Sequence, residues 1–342
     1  MSDLHHVVDS LAPYDAISDE VRALRAELRT RGVNGGVYAA HVHPSLRGEA
    51  EPLDRLPAGP VLLHHSIGSP AVDAALEAAA PLSVRYQNVT PSRWFRGVAE
   101  GLADASERGR ADLERVLPRA AVVVAPSTYS AEEARAGGAA RVEVVPILLP
   151  RRASGPAPAP RPAASPLVVT VGRVAPHKRI DEVLRVFACY RRGCAPGAEL
   201  AVVGSDVGFE PYGRACRALA ARLGVADAVR FTGVVDEDTK HALLAGASAY
   251  LACTEHEGFC VPLVEAMRAG LPIVARAEAA VPETVGAGGV VVATRDHAVL
   301  AEVLHAVAGD PTARAAARRE ARRYEPAAVA EAFATALTAG LR

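Results

Sequence analysis

Short runs of apolar, mostly β-branched residues alternate along the chain with longer stretches in which Ala, Leu and Val recur every three to four positions among Arg and Glu. The first kind of run reads as a strand and the second as an amphipathic helix. Their steady alternation is the pattern of βαβ units around a parallel sheet. In the first half it predicts strands near 4–10, 35–41, 60–66, 82–88, 121–126 and 142–148. After a break the second half repeats it, with strands near 167–172, 199–204, 229–232, 249–253, 271–275 and 289–292. The clearest early helix spans 18–31, with Ser18 as its cap and Asp19 and Glu20 at the positive end of its dipole. The break itself, 151–166, is Pro, Ala and Ser with a few Arg and no core-forming side chain, which predicts a semi-rigid linker. The chain therefore divides into a lobe over 1–150, a linker over 151–166, a second lobe over 167–323 and a closing helix within about 324–342. Two lobes on a linker imply a cleft between them.

Composition narrows the class. Half of the 342 residues are hydrophobic but only 4% are aromatic, so the cores are aliphatic. A net charge of −1 offers no electrostatic footprint for nucleic acid. No apolar run approaches the roughly 18 residues of a membrane span, and the acidic, polar start does not read as a signal peptide. Trp94 and Phe95 lie among basic residues, but the acids that follow them favour a solvated helix over a membrane surface. The five cysteines are odd in number and lack C-x-x-C spacing, which predicts free thiols in a reducing cytoplasm.

The chemistry concentrates at Glu257-Gly258-Phe259-Cys260-Val261-Pro262-Leu263-Val264-Glu265. A carboxylate precedes a tight loop, and a second lies one turn into the helix that follows. Pro262 suits a helix start and Gly270 its stop. Apolar residues surround Glu265, so its carboxylate needs a partner. The amides of 258–261 form an anion site at a helix N-terminus. Amides for a diphosphate and carboxylates for sugar and ribose hydroxyls suit a nucleotide-sugar. The same spacing also fits a capped, buried helix whose Glu265 pairs with an Arg.

This stretch resembles the E-x7-E signature of retaining glycosyltransferases of family 4, the group 1 glycosyltransferases. Val171-Gly172-Arg173-Val174-Ala175-Pro176-His177-Lys178 is similar to the family's G-R-x(4)-K segment, and Leu200 to Ser205, Val229 to Gly233 and Val281 to Thr284 resemble further landmarks in the expected order. The resemblance covers about 165–325. It implies the α/β GT-B fold, two Rossmann-like parallel-sheet lobes facing each other across a cleft. It also implies transfer, with retention, from a nucleoside diphosphate sugar, UDP ahead of GDP, to a small-molecule or glycan hydroxyl. By the same resemblance Arg173 and Lys178 hold the diphosphate, Glu257 contacts the transferred sugar and Glu265 the ribose. Phe259, Cys260 and Val261 act through backbone N–H, and Gly172, Gly204 and Gly258 line the donor pocket. Many relatives carry Gly where Cys260 stands. No cofactor beyond the donor and no metal on the leaving group are implied. His41 and His43 have no third ligand nearby, and His256 is expected at the surface of its loop.

The first half resembles the family less. The loop after the first strand, Ser10 to Ser18, lacks the glycine that relatives usually have, and Asp15 stands as a candidate acceptor contact or turn-ordering residue. Tyr86-Gln87-Asn88-Val89-Thr90-Pro91 resembles a Y-H-N-[IV]-T-P segment whose His lies beside the reacting centre; here Gln87 stands in its place and cannot titrate. His64 and His65 offer an imidazole instead. Asp15, His64, His65 and Asn88 are thus the acceptor-side candidates, with Gln87 beside the donor sugar. A small soluble acceptor, such as a cyclitol or amino sugar, is expected rather than a lipid-linked glycan. Two other readings stay open: a catalytically silent sugar-nucleotide-binding protein, suggested by Gln87 and the glycine-free loop, and a GT-B enzyme of another reaction type, such as a nucleotide-sugar epimerase or phosphorylase.

Overall fold

A computed structural model describes residues 3–150 and 165–340. Of the expected linker, 151–164 lie outside the described residues. The chain forms two units by its contacts, Met1–Arg96 with Glu100–Arg151 and Tyr324–Arg342, and Gly97–Ala99 with Arg152–Arg323.

The first unit holds seven parallel strands, β1 (His5–Leu11), β2 (Val37–Val42), β3 (Glu51–Pro52), β4 (Gly59–His65), β5 (Ala79–Tyr86), β6 (Val122–Ala125) and β7 (Val142–Val144), in the order β3-β2-β1-β4-β5-β6-β7. Helices α1 (Ala16–Thr30), α2 (Pro70–Ala78), α3 (Glu100–Ala111), α4 (Leu113–Val116) and α5 (Thr128–Ala136) connect them. Alternate strand residues point to opposite faces, and both faces are covered. Val61, Leu63 and Val123 pack with Val72 and Leu76 of α2, while Leu62, Val122 and Val124 pack with Leu24 and Leu28 of α1.

The second unit holds six parallel strands, β8 (Leu167–Val171), β9 (Glu199–Val203), β10 (Val229–Gly233), β11 (Ala249–Ala252), β12 (Ile273–Arg276) and β13 (Val290–Val292), in the order β10-β9-β8-β11-β12-β13. Helices α6 (Ile180–Gly193), α7 (Glu210–Arg222), α8 (Glu237–Gly246), α9 (Val261–Arg268), α10 (Val281–Val285), α11 (His297–Val307) and α12 (Pro311–Glu320) complete it. Val183 and Phe187 of α6 and Leu300 and Leu304 of α11 close over Val168, Val202, Leu251 and Val274. Each such side chain taken out of water contributes roughly 1.5–3 kcal/mol. The last helix, α13 (Pro326–Gly340), belongs to the first unit, where Val329, Phe333 and Leu337 join the α1 face of the sheet.

Two local expectations change. Helix α1 is capped by Asp15, not Ser18: the Asp15 carboxylate accepts from Ser18 N at 2.8 Å and Ser18 Oγ at 2.7 Å. Ser18 sits inside the first turn because the carboxylate reaches its amide. The short strand β3 carries too little apolar sequence to be read in advance.

A pair of histidines crosses the sheet interior. His6 Nδ1 lies 3.1 Å from His64 Nε2, and both rings are buried. One ring donates to the other's lone pair, so the acceptor ring must be neutral. Burial, then the Arg85 charge, lowers His64 to about 3; burial, then His64 and Arg25, holds His6 well below its usual value. The unfolded chain takes up these protons below about pH 6.5, and the folded chain does not. Stability is therefore expected to be complete above about pH 6.5 and to fall as pH drops toward 3, by about 1.4 kcal/mol per pH unit for each histidine. Urea titrations between pH 7 and 4.5 check this, and a midpoint flat across that range would contradict it.

Candidate functional site in the second unit

In an open parallel sheet, loops leaving neighbouring strands in opposite directions open a crevice at the C-terminal edge. In this unit that point lies between β8 and β11. The loop after β8 carries Gly172, Arg173 and Lys178; the loop after β11 carries Glu255 to Cys260 and leads into α9. Sequence-distant residues thus meet at one edge. Lys178 Nζ lies 2.5 Å from Glu257 Oε1, with both side chains largely buried. The loops are also stitched through their backbones, since Glu255 N donates to His177 O at 2.9 Å and Thr254 Oγ1 donates to the same carbonyl at 3.1 Å.

The electrostatics follow from this closeness. Burial opposes charge on Lys178, but the Glu257 carboxylate outweighs it and holds the amine above the ordinary lysine value. Burial, then the Lys178 charge, pushes His177 well below its usual value, so its imidazole is neutral. Burial, then Glu257, pushes the Cys260 thiol well above its usual value, so no thiolate forms. The site therefore offers one fixed cation, one carboxylate and the positive end of α9.

Cys260 is the N-cap of α9 at φ 75° and ψ 71°, the left-handed region that glycine enters without penalty. A cysteine here carries a backbone cost that glycine would not. Gly270 ends the helix at φ 68°. Glu265, on the second turn of α9, is partly exposed and meets Lys240 of α8, Nζ to Oε1 2.7 Å. Lys240 also pairs with Glu237 at 3.0 Å. The sequence demanded a partner for Glu265 and offered an Arg; the partner is a lysine, 25 residues away on another helix, which no local pattern identifies.

Arg173 is exposed, with its guanidinium 4.8 Å from the Phe209 ring and Nη2 3.5 Å from Val207 O. Gly204 stands beside Gly172 on the neighbouring loop, where a Cβ would come within 2.1 Å of the Gly172 carbonyl oxygen at a φ of 139°. Gly204→Ala must push the two loops apart. A loss of about 3 kcal/mol is expected from clash and backbone strain together, read as a lower denaturation midpoint; an unchanged midpoint would show that the loops part freely. His256, expected at the surface, is buried at 5% exposure in a loop that folds back to bring its carbonyl within 3.3 Å of Thr254 Oγ1.

The first-half candidates lie in the other unit. Asp15 caps α1. Gln87 is partly exposed and its Nε2 contacts Glu20. Asn88 is buried at φ 70°, donating to Ser130 Oγ at 3.1 Å and Glu133 Oε2 at 3.2 Å. His64 faces His6, and His65 Nε2 lies 2.8 Å from Gly109 O; both rings are buried. Among the described residues no cluster of three His, Cys, Asp or Glu side chains is placed to hold a metal ion, and no helix is long and apolar enough to cross a membrane.

Comparison with known proteins bears on this geometry. Residues 156–324 match the family described as "Glycosyl transferases group 1". A D-inositol 3-phosphate glycosyltransferase of Streptomyces avermitilis is 34% identical over 173 residues, 48% of this chain and 36% of the relative. A GDP-mannose-dependent alpha-(1-6)-phosphatidylinositol monomannoside mannosyltransferase of Mycobacterium tuberculosis is 37% identical over 127 residues, 35% of this chain and 32% of the relative. These alignments span about a third of the relatives' length. In structure, Anabaena HepE with UDP-glucose superposes with a TM-score of 0.73 at 16% identity, covering 99% of this chain and all of that one. The lipopolysaccharide glycosyltransferase WaaG superposes at 0.70 and 17% identity, covering 96% and 97%. The two parallel-sheet units are those of the GT-B fold.

Proposed function

From the premise that residues 156–324 belong to the group 1 glycosyltransferases, we propose that the chain transfers a glycosyl group, with retention, from a nucleoside diphosphate sugar to a hydroxyl. The observation that carries this reading is the Lys178–Glu257 pair at the β8/β11 crevice. A cation and the positive end of a helix suit the diphosphate, and the carboxylate beside them suits hydroxyls of the transferred sugar. Arg173 supplies further positive charge to the leaving group. Phe259, Cys260 and Val261 offer their amides, Gly172, Gly204 and Gly258 let the donor approach, and Glu265, steadied by Lys240, takes the ribose. No step needs a metal when two basic side chains meet the growing phosphate charge.

The matched relatives' names include both a GDP-mannose donor and inositol-type acceptors, and HepE was solved with UDP-glucose. UDP and GDP sugars are therefore both proposed donors, and a cyclitol or related polyol the acceptor, in a cytoplasmic reaction. Asp15, Gln87 and Asn88, at the C-terminal edge of the first unit's sheet, are its proposed contacts. The test is release of UDP or GDP from a donor panel in the presence of polyol acceptors, with transfer followed by mass spectrometry. Nucleotide binding without transfer to any acceptor would leave a silent binding protein in its place. Glu265→Ala is expected to weaken nucleoside diphosphate binding about ten- to a hundredfold, the loss of one charge-assisted hydrogen bond. Calorimetry reads this, and unchanged affinity in a folded variant would remove Glu265 from the ribose.

A further inference from the structure

Arginines from three segments at the C-terminal edge of the second sheet converge on one carboxylate that the proposed chemistry does not use. Glu255, buried except for about a tenth of its side chain, is contacted by Arg179 from the β8 loop, by Arg276 Nη2 at 3.4 Å from the end of β12 and by Arg295 Nη1 at 3.2 Å after β13. Its own amide is already bonded to His177 O. The outer ring is tied as well. Arg276 and Arg295 share Glu278 at 2.9 and 3.2 Å, and Arg179 holds Asp181 and Glu182 at 3.0 and 2.8 Å. His297 of α11 closes on Glu182 at 2.6 Å.

Two features show that this is more than surface pairing. Arg276 is only 2% exposed and its Nη1 finds no hydrogen-bond partner among the described residues, so its buried charge leans on Glu255 and Glu278. Arg179 stands in the left-handed region, φ 50° and ψ 49°, a conformation that persists only where its surroundings impose it. Arg179 directly follows Lys178, and Glu255 lies two residues before Glu257. The ion cluster thus grips the chain next to both members of the central pair.

We propose that Glu255 and Arg179 are positioning residues: they lock the β8 and β11 loops at a fixed separation so that Lys178 and Glu257 stay in place when their mutual ion pair opens to admit a substrate. Without ligand the 2.5 Å contact between Lys178 and Glu257 helps hold the loops together. A bound diphosphate sugar must replace that contact with one bond to phosphate and one to a sugar hydroxyl. Unanchored loops would then drift, and a displacement of about 1 Å costs a catalytic group about a hundredfold in rate. Glu255 keeps its grip because the proposed chemistry assigns none of its arginines to the substrate. This inference rests on the proposed glycosyl transfer for its kinetic consequence, but not for its structural one.

The experiment takes Glu255→Gln and Arg179→Gln, each in the full chain, with Arg179→Lys as the conservative counterpart. Amide hydrogen exchange in ligand-free protein reads the lock directly. Exchange at 176–179 and 253–260 should quicken about tenfold in the Gln variants while the β8 and β11 strands stay protected. Turnover with UDP-glucose or GDP-mannose should fall about a hundredfold, with UDP or GDP affinity within about threefold of the parent, and Arg179→Lys should recover most of it. Unchanged exchange overturns the proposal whatever the activity. A parallel loss of turnover and nucleotide affinity also overturns it, by making the cluster part of the binding site. If the parent transfers no sugar but the loops loosen as described, the lock stands and the transferase reading fails. Should one Gln variant not fold, the other tests the same lock from the opposite loop.

Discussion

Lys178→Ala is expected to cut turnover by about a hundred- to a thousandfold while raising the donor KM by no more than about tenfold. The asymmetry has a physical source. In the free protein the amine is already engaged by Glu257 at 2.5 Å, so binding a ground-state diphosphate exchanges one anionic partner for another and gains little. In the transition state the departing diphosphate gathers charge that the sugar carbon releases, and a fixed cation in a largely buried site is worth more there than in water. The variant should fold. The loops keep their backbone stitches, Glu255 N to His177 O and residue 178 N to Ala175 O at 3.0 Å. Steady-state kinetics against donor concentration decide the matter. An effect confined to KM would reduce Lys178 to a binding residue. A companion Glu257→Gln variant should retain nucleotide affinity and lose turnover, because its carboxylate is assigned to the sugar and not to the nucleotide.

The second large effect concerns the first unit's interior. Arg85 of β5 and Glu20 of α1 are both fully buried, with Nη2 2.6 Å from Oε1 and Nε 3.2 Å from Oε2. Arg85 also donates to Val145 O at 2.8 Å and Pro146 O at 3.1 Å, and lies 5.6 Å from the Phe333 ring of α13. Glu20 takes Leu148 N at 3.1 Å and the Gln87 amide. One ion pair thus joins the first helix, a central strand, the segment after β7 and the last helix. Arg85→Met leaves a carboxylate stranded in the core and is expected to cost about 3–5 kcal/mol, a large part of a typical domain's stability. Combining it with Glu20→Leu should restore most of the loss, because two apolar residues replace both charges at once. Urea unfolding of the two single variants and the double one measures this. A single variant within about 1 kcal/mol of the parent would show that water or a backbone shift relieves the stranded charge.

That ion pair marks where the sequence stopped being informative. Asp19 and Glu20 look alike at the start of α1, two acids at the positive end of a dipole, yet Glu20 is buried to the core and Asp19 is not. Helical spacing puts Glu20 on the apolar face with Leu24 and Asp19 off it, but only Arg85, 65 residues away, lets a carboxylate stay there. The same holds for Gln87. Its likeness to a family histidine carried no hint that its amide contacts the carboxylate that Arg85 neutralises. His64 and His65 read as imidazoles available to a ligand, but strand β4 lies between β1 and β5 with helices over both faces, and its terminal rings are enclosed.

What the sequence determined by itself is what short-range chemistry encodes. Apolar periodicity placed twelve of the strands, because a residue's neighbours two, three or four positions away decide which face it shows. Pro262 and Gly270 bounded α9 through backbone preferences that travel with the residue. The spacing of Glu257 and Glu265 left two readings open, and only the likeness to a known family turned these residues, with Arg173 and Lys178, into donor-side candidates. The tertiary structure alone decided the pairings: Lys178 with Glu257, Lys240 with Glu265, Glu255 among three arginines, and His6 with His64. Each joins loops, strands or helices that meet only because parallel strands bring distant segments to one edge or one face, and strand order is a property of the whole sheet, carried by no local run of residues.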